Sequence, residues 1–363
     1  MYYLKYRPRT IDEIDNIKAR ENISKILISK PIPHAYLFVG SKGTGKTSTA
    51  RIFAKAVNCV NLPKFPNRPN PCNHCKNCLA IDFSSSPDVF ELDAASNRGI
   101  NEVKDLIKEA SFLPMSGRYR VFIIDEAHMI TGDGFNALLK TLEEPPDTVI
   151  FILATTILEK VPKTISSRCL IVNFGKAVKS DVKNMIKRII KKEKLAVDEK
   201  LIDLIALHSE KSFRDAAKLL EELVIQNKLN TEEAKNYLGI RSKENLLEIV
   251  AKKNIKDALS WIEEFSTVGG NMKNLIEELL EELRFLLLKK SGITVEETLP
   301  VDLSLAQVTF LMKSLNEAYN LLKTTPIDTL PLEIAVVEFY NNKILNLKTE
   351  NLKPQLKSKS LDK

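Results

Sequence analysis

No apolar run in the 363 residues approaches the roughly twenty that a helix needs to cross a bilayer, which excludes a membrane-spanning helix. The opening stretch MYYLKYRPRTIDEI lacks the basic, apolar and small-residue succession of a secretory leader, so the expected location is the cytoplasm, with no membrane partner. Five cysteines in such a chain do not make a disulfide framework. No internal repeat is visible. Neither sign of charge dominates: 54 Lys and Arg against 47 Asp and Glu give a net charge of +7, which permits a nucleic-acid partner without demanding one. What remains is a globular chain, 44% hydrophobic and 28% charged, with room for two or three domains.

The first half alternates two kinds of pattern. AYLFV (35–39), DVFELD (88–93), RVFIID (120–125), TVIFILAT (148–155) and CLIVNF (169–174) are rich in Val, Ile and Phe and bounded by turn residues, which predicts strands. Amphipathic segments lie between them; Ala50, Phe53, Ala54 and Val57 recur at i, i+3, i+4 and i+7 as one buried helix face. Strands alternating with helices predict a parallel five-stranded sheet covered on both sides, an α/β domain over 1–175. Beyond Gly175 only helical patterns remain. Segments near 180–194, 198–208 and 213–226, and a short last helix opened by Asn230 with Glu233 and stopped by Gly239, form a small helical domain over 176–239. Longer helices near 242–252, 255–266, 272–290, 303–324 and 331–346 predict a second helical domain over 240–346. The lysine-rich end, 347–363, has no apolar periodicity and reads as a disordered tail.

Gly40-Ser41-Lys42-Gly43-Thr44-Gly45-Lys46-Thr47 matches G-x-x-x-x-G-K-[ST] between a predicted strand and a predicted helix, the only context in which that pattern makes a phosphate-binding loop. Its glycines let the backbone turn and aim N–H groups at phosphate, and the helix N-terminus, with Ser48 in its first turn, adds its positive end. Lys46 is placed to neutralise the β and γ phosphates and Thr47 to ligate Mg²⁺. RVFIIDEAH supplies the opposing acids. Four apolar β-formers carry Asp125 to the C-terminal end of a strand, where it can hold Mg²⁺, and Glu126 can polarise an attacking water. The plainer alternative is that both acids only cap the next helix. The letters DEAH also occur in helicases, but the all-helical second half offers no second motor domain.

Cys59, Cys72, Cys75 and Cys78 are spaced C-x12-C-x2-C-x2-C. Two-residue gaps let thiolates converge on one tetrahedral ion, and four of them close its shell, which predicts a structural Zn²⁺ module over 59–78. His74 inside the knot is a competing ligand. The segment NLPKFPNRPNPCNHCKNC holds four prolines and almost no apolar residues, so a metal would replace the core it cannot form. Cys169 stands apart and reads as a small buried residue at a strand start.

LKYRPRTIDEI, HAYLFVGSKGTGKTSTAR, the cysteine cluster, FELDAASN, FIIDEAHMI, FNALLKTLEEPP, LATT and SSRC together resemble the bacterial DNA polymerase III clamp-loader gamma/tau family, over residues 1 to about 345. The resemblance implies an AAA+ P-loop ATPase core with inserted zinc module, a helical lid and an all-α collar that assembles subunits into a ring. It implies ATP, Mg²⁺ and Zn²⁺ as cofactors. As partners it implies the delta and delta-prime subunits and further gamma/tau copies in a hetero-pentamer, the sliding clamp, and primer-template DNA. The activity implied is ATP-driven opening and loading of the clamp, within a holoenzyme classed as a DNA-directed DNA polymerase. Thr156 resembles the sensor-1 residue. Arg168, in Ser167-Arg168-Cys169, resembles an arginine finger acting on the neighbouring subunit's ATP; without the family it reads as a surface arginine closing a turn. Arg214 resembles sensor 2, although alone it reads as an exposed helix charge. The adenine pocket is implied around Tyr6, Arg7, Pro8, Ile14 and Ile17. Arg98, after DAASN, is the candidate DNA contact, with an ordinary solvated arginine as the alternative. NLIEELLEELRFLLL is apolar on more than one face, which suits packing against neighbours or burial in a monomer. The chain stops soon after the collar and so looks like the family's short form. It departs from the family pattern at Asn16-Ile17, where Gly-Gln is usual, and at Glu210-Lys211-Ser212-Phe213, which lacks the usual glycine.

Overall fold

The computed structural model describes residues 1–29, 31–61, 69–96, 99–237, 246–252, 254–267, 269–293 and 301–342. Arg98, Gly239 and the 347–363 tail therefore lie outside the described residues. Two compact units are present, Met1–Thr231 and a second beginning at Glu232.

In the first unit the five predicted strands form one parallel sheet: β1 (Ala35–Gly40), β2 (Val89–Asp93), β3 (Arg120–Asp125), β4 (Val149–Thr155) and β5 (Leu170–Gly175), in the order β2-β3-β4-β1-β5. The central strands are continuous apolar runs because both faces are covered; all seven residues of β4 are buried. The edge strand β5 alternates instead, with Leu170 and Ile171 exposed and Val172 and Phe174 buried. Successive side chains go to opposite faces. Tyr36, Phe38, Ile123 and Ile152 pack with Ile52, Phe53 and Val57 on one side, while Leu37, Phe122, Phe151 and Leu153 pack with Val103, Phe135 and Leu138 on the other.

Helices cover those faces. α1 (Tyr2–Lys5) and α2 (Ile17–Ile28) precede the sheet, α3 (Lys46–Asn58) follows β1, α4 (Lys76–Asp82) follows the cysteine turn, and α5 (Ile100–Ala110), α6 (Gly132–Glu143) and α7 (Lys163–Ser166) complete the layer. After β5 come α8 (Lys179–Glu193), α9 (Glu199–His208), α10 (Phe213–Ile225) and α11 (Thr231–Tyr237). Ser212 caps α10 by accepting from Asp215 N, and Asp198 caps α9 through Leu201 N. Strand order has a direct consequence for the site. Because β4 lies between β1 and β3, the loops after β1, β3 and β4 emerge side by side at the sheet's C-terminal edge.

The second unit is helical: α11 from Glu232 on, α12 (Leu246–Lys252), α13 (Ile255–Thr267), α14 (Met272–Lys290), α15 (Leu305–Leu321) and a further helical stretch over 330–342. Leu247, Ile262, Leu279, Leu283, Leu311, Leu315 and Phe339 share its core. On α14 the buried set Met272, Leu275, Ile276, Leu279, Leu283 and Leu286 is one helical stripe, with Leu280 and Leu287 partly buried beside it. Phe285 and Leu288 are also only partly buried and lie outside that stripe.

Candidate nucleotide site and cysteine cluster

The residues from Gly40 to Gly45 form a loop that turns from β1 into α3. Gly43 and Gly45 sit at φ of 74° and 95°, a region that L side chains avoid, and Gly45 caps α3 there. A Cβ at Gly43 would also collide with the Ser212 hydroxyl, so the loop admits the start of α10 against its backbone. Phe213 N donates to Gly43 O at 3.1 Å, which ties the two.

Lys46, only 6% exposed, folds its ammonium back onto the loop, donating to Gly40 O at 2.8 Å and Ser41 O at 2.9 Å. Burial lowers its pKa, against the opposing pull of Glu126 and Asp125. Thr47 Oγ1 donates to Asp125 Oδ2 at 2.5 Å, which brings together the two residues expected to flank Mg²⁺. The donor set, a hydroxyl and a carboxylate beside a phosphate-sized turn, suits a hard cation with oxygen ligands. Glu126 adopts the left-handed region (φ 47°), a strained conformation for a residue with a Cβ. Its Oε2 accepts from Thr156 Oγ1 at 3.2 Å and lies 3.4 Å from His128 Nδ1. Thr156 follows β4 directly, so the strand order brings it beside the acid pair at the end of β3.

One cleft joins these groups. Its lining includes Lys42 to Ser48, Asp125, Glu126 and Arg214, together with Tyr6, Pro8 and Ile14 from the N-terminal segment. Arg7 also borders it, and its Nε donates to Ser48 Oγ at 2.7 Å, in the first turn of α3. Burial lowers the Arg7 pKa, and Arg51 nearby adds to the effect. Two desolvated cations, Arg7 and Lys46, thus face the loop, and an anion there would relieve both. Ile17 is misplaced by sequence reasoning; it is 36% exposed on α2 and does not line the cleft, whereas Asp15 and Asn16 do. Asn16 explains its own departure from the family pattern. Its Oδ1 caps α2 by accepting from Ala19 N at 3.0 Å, and its Nδ2 donates to Phe174 O at 2.8 Å. Sequence reasoning also missed Met185, Ile189 and Ala217, which reach the cleft from α8 and α10. The signal was present in α8, where Val182, Met185, Ile186 and Ile189 make an i, i+3, i+4, i+7 stripe.

Arg214 stands at the start of α10, exposed and beside Gly43. The segment before it reaches this position without glycine by placing Glu210 and Lys211 at φ of 51° and 58°, a conformation that costs non-glycine residues on the order of 1 kcal/mol each. Arg168 is elsewhere. It follows α7, outside the cleft lining, with Nη2 2.5 Å from Glu143 Oε1 and Nη1 donating to Thr164 O at 2.6 Å.

The four cysteines of the cluster converge, their sulfurs all within 4.8 Å of one another. Cys72 Sγ and Cys78 Sγ are 4.0 Å apart; a tetrahedral Zn²⁺ with sulfur at about 2.3 Å sets its ligands about 3.8 Å apart. Backbone N–H groups donate to sulfur in sequence, Cys72 N to Cys59 at 3.4 Å, Cys75 N to Cys72 at 3.3 Å and Cys78 N to Cys75 at 3.5 Å. Burial pushes Cys59 and Cys78 up. At Cys72 burial acts the same way, but N–H donors from His74 and Cys75, with Asn61, outweigh it and pull the thiol to about 6. His74 is not part of the sulfur set; its Nδ1 lies 2.6 Å from Cys72 O and its Nε2 3.4 Å from Asn61 Nδ2. Cys169 is half-buried, away from the cluster, and burial raises its thiol to about 12.

A parallel five-stranded sheet whose phosphate loop, acidic pair and the threonine after β4 lie at one edge defines a P-loop ATPase-type core. Comparison with known proteins carries this further. Residues 16–177 match the family model described as DNA polymerase III, delta subunit. The chain is 37% identical over 285 residues to DNA polymerase III subunit gamma of Buchnera aphidicola subsp. Baizongia pistaciae, covering 77% of this chain and 76% of that protein. It is 37% identical over 358 residues to DNA polymerase III subunit tau of Bacillus subtilis, covering 93% of this chain but only 63% of that longer protein. A solved structure of the Thermotoga maritima RuvB Holliday junction branch migration motor superposes loosely, with a TM-score of 0.47 at 17% identity over 71% of this chain and 85% of that one. The chain belongs to the DNA polymerase III gamma/tau subunit family. Among the described residues no helix is long and apolar enough to cross a membrane.

Proposed function

We propose that this chain is an ATP-hydrolysing motor subunit of a bacterial DNA polymerase III clamp loader, which opens a sliding clamp and loads it onto primed DNA. The observation that supports this most is the intact cleft, in which Lys46, Thr47, Asp125 and Glu126 meet at one sheet edge, with Thr156 bonded to Glu126, within a gamma/tau-family chain. An ATP-insensitive structural subunit would have no need to keep Lys46 buried beside Asp125 and Glu126.

In this reading Lys46 exchanges its two loop carbonyls for phosphate oxygens, and the N–H groups of Gly43 to Thr47 hold the same phosphates. Thr47 and Asp125 would hold Mg²⁺, which would supply charge to offset that of the phosphates. Glu126 orients the attacking water and accepts its proton, and Thr156 senses the terminal phosphate through its bond to Glu126. Arg7 supports the phosphate end through Ser48, while Tyr6, Pro8 and Ile14 with Met185 and Ile189 enclose the base. Arg214 follows the phosphates from the lid over 176–239, whose backbone is tied to Gly43. Arg168, lying outside its own cleft, completes the site of a neighbouring subunit, so that turnover depends on assembly with delta, delta-prime and further gamma/tau copies through the collar over 240–346. The four cysteines hold a structural Zn²⁺. Work comes from the difference in clamp affinity between nucleotide states. DNA contact is through phosphates, without sequence reading. The cytoplasm is the matching compartment.

A loading assay tests this: labelled clamp, primed circular DNA, ATP and the reconstituted subunits are separated by size, and labelled clamp co-migrates with DNA only when this chain and ATP are both present. Co-migration without ATP, or none in the complete mixture, would refute the proposal.

A further inference from the structure

We infer that Lys55 presets the four cysteine sulfurs for zinc without being a ligand, acting through Asn73 and Asp82; this rests on the zinc reading above. Its side chain is 2% exposed, and its ammonium donates to Asn73 Oδ1 at 2.8 Å and to Asp82 Oδ1 at 2.8 Å. Those partners are placed tellingly. Lys55 is one helical turn before Cys59 on α3, Asn73 lies between Cys72 and Cys75, and Asp82 is one helical turn after Cys78 on α4. The three chain pieces that carry all four sulfurs are therefore joined at one ammonium.

A lysine is rarely buried this deeply unless its charge is paired, and here the amide lies within the cysteine module and the acid one turn beyond it, on the helix that carries Cys78. Asn73 needs the support, because it holds the turn between Cys72 and Cys75 at a φ of 61°. With that turn fixed, the N–H groups of Cys75 and Cys78 stay aimed at the sulfurs of Cys72 and Cys75. Asn77 adds a parallel tie, donating to Asn58 O at 2.9 Å at the end of α3. The segment between has few apolar residues, so polar ties of this kind are what remains to order the thiolates before an ion arrives. Partners that orient metal ligands in this way are worth about 10- to 100-fold in affinity.

Zinc affinity is measured by competition with a chromophoric chelator on the full chain, for the wild type, Lys55→Met and Asn73→Gly. Asn73→Gly keeps the left-handed turn accessible while removing the acceptor. Cobalt substitution reports the ligand set by its absorption spectrum. The expected result is a four-thiolate cobalt spectrum in all three proteins, with zinc affinity lowered about 10- to 100-fold in Lys55→Met and lowered less in Asn73→Gly. A Lys55→Met protein that binds zinc as tightly as the wild type, and loses equal thermal stability with and without zinc, would overturn the inference and make Lys55 a purely structural residue. If Lys55→Met does not fold, Asn73→Gly decides, and unchanged zinc affinity in it would overturn the inference. A wild type that takes no zinc would overturn the zinc reading itself, a distinct failure.

Discussion

At its N-terminal end α3 carries a phosphate loop fixed by a sheet and two hydrophobic cores; at its C-terminal end, about 20 Å away, it carries Cys59 and a cluster with almost no core of its own. The cleft gains its rigidity from apolar packing around Ile52, Phe53 and Val57, so its charged groups can be desolvated and still held in register. The cysteine cluster has polar ties in place of such a core, and in the function proposed above an ion completes it. One helix thus serves two sites built on different physics, and the two should fail separately.

Arg168→Ala should touch neither site. In the assembled complex it should slow hydrolysis by about 10³- to 10⁵-fold, the range for an arginine finger, while zinc content and nucleotide affinity stay unchanged; steady-state turnover at saturating ATP reads this, and a normal rate would remove the role in trans. Lys46→Ala should abolish measurable ATP binding in a fluorescent-nucleotide titration, a loss of at least about 100-fold for a charge-assisted phosphate contact, yet retain one zinc per chain. Cys75→Ser makes the converse test. Zinc content should fall, the affinity for nucleotide should remain within about threefold, a change of under 1 kcal/mol, and a larger loss would show that the two ends of α3 are not independent.

A separate effect, on stability rather than on either ligand, concerns Asp15, at the cleft wall. Burial raises its pKa from 3.8 to about 6, against the pull of Arg188, which donates to both its oxygens at 2.7 and 2.8 Å. A carboxylate whose folded pKa is raised takes up a proton on folding, so its contribution is most favourable below its unfolded value and is lost as pH rises through the folded one. Between pH 4 and 7 the stability difference between wild type and Asp15→Asn should therefore shift against the wild type by up to ~3 kcal/mol, read from denaturant midpoints across that range.

Much of this contrast was legible in the sequence because both motifs are local. The five strands were readable to within a residue or so, since strands covered on both faces become unbroken apolar runs, and Val149 to Thr155 could be little else. Gly40 to Thr47 and the cysteine spacing likewise carry their chemistry in short stretches. What could not be read depends on where side chains point after folding. Arg7 sits in a stretch that resembles a base pocket, yet it turns to Ser48. Ile17 was one residue too far along, because Asn16 spends its side chain on capping α2. Which leucines of α14 enter its own core, Leu275, Leu279, Leu283 and Leu286 among them, was not readable from a run apolar on more than one face. Lys55 gave no signal at all, since a lysine on a helix reads as solvated unless its partners, 18 and 27 residues away, are known to fold over it.

The central claim is that the cleft is a working ATPase whose turnover belongs to an assembly. It is tested most directly by the steady-state ATPase rate of the purified chain, alone and mixed with delta, delta-prime, clamp and primed DNA. The account predicts a low rate alone and a large stimulation only in the complete mixture; an equal rate in the chain alone and in the mixture, or no hydrolysis in either, would contradict it.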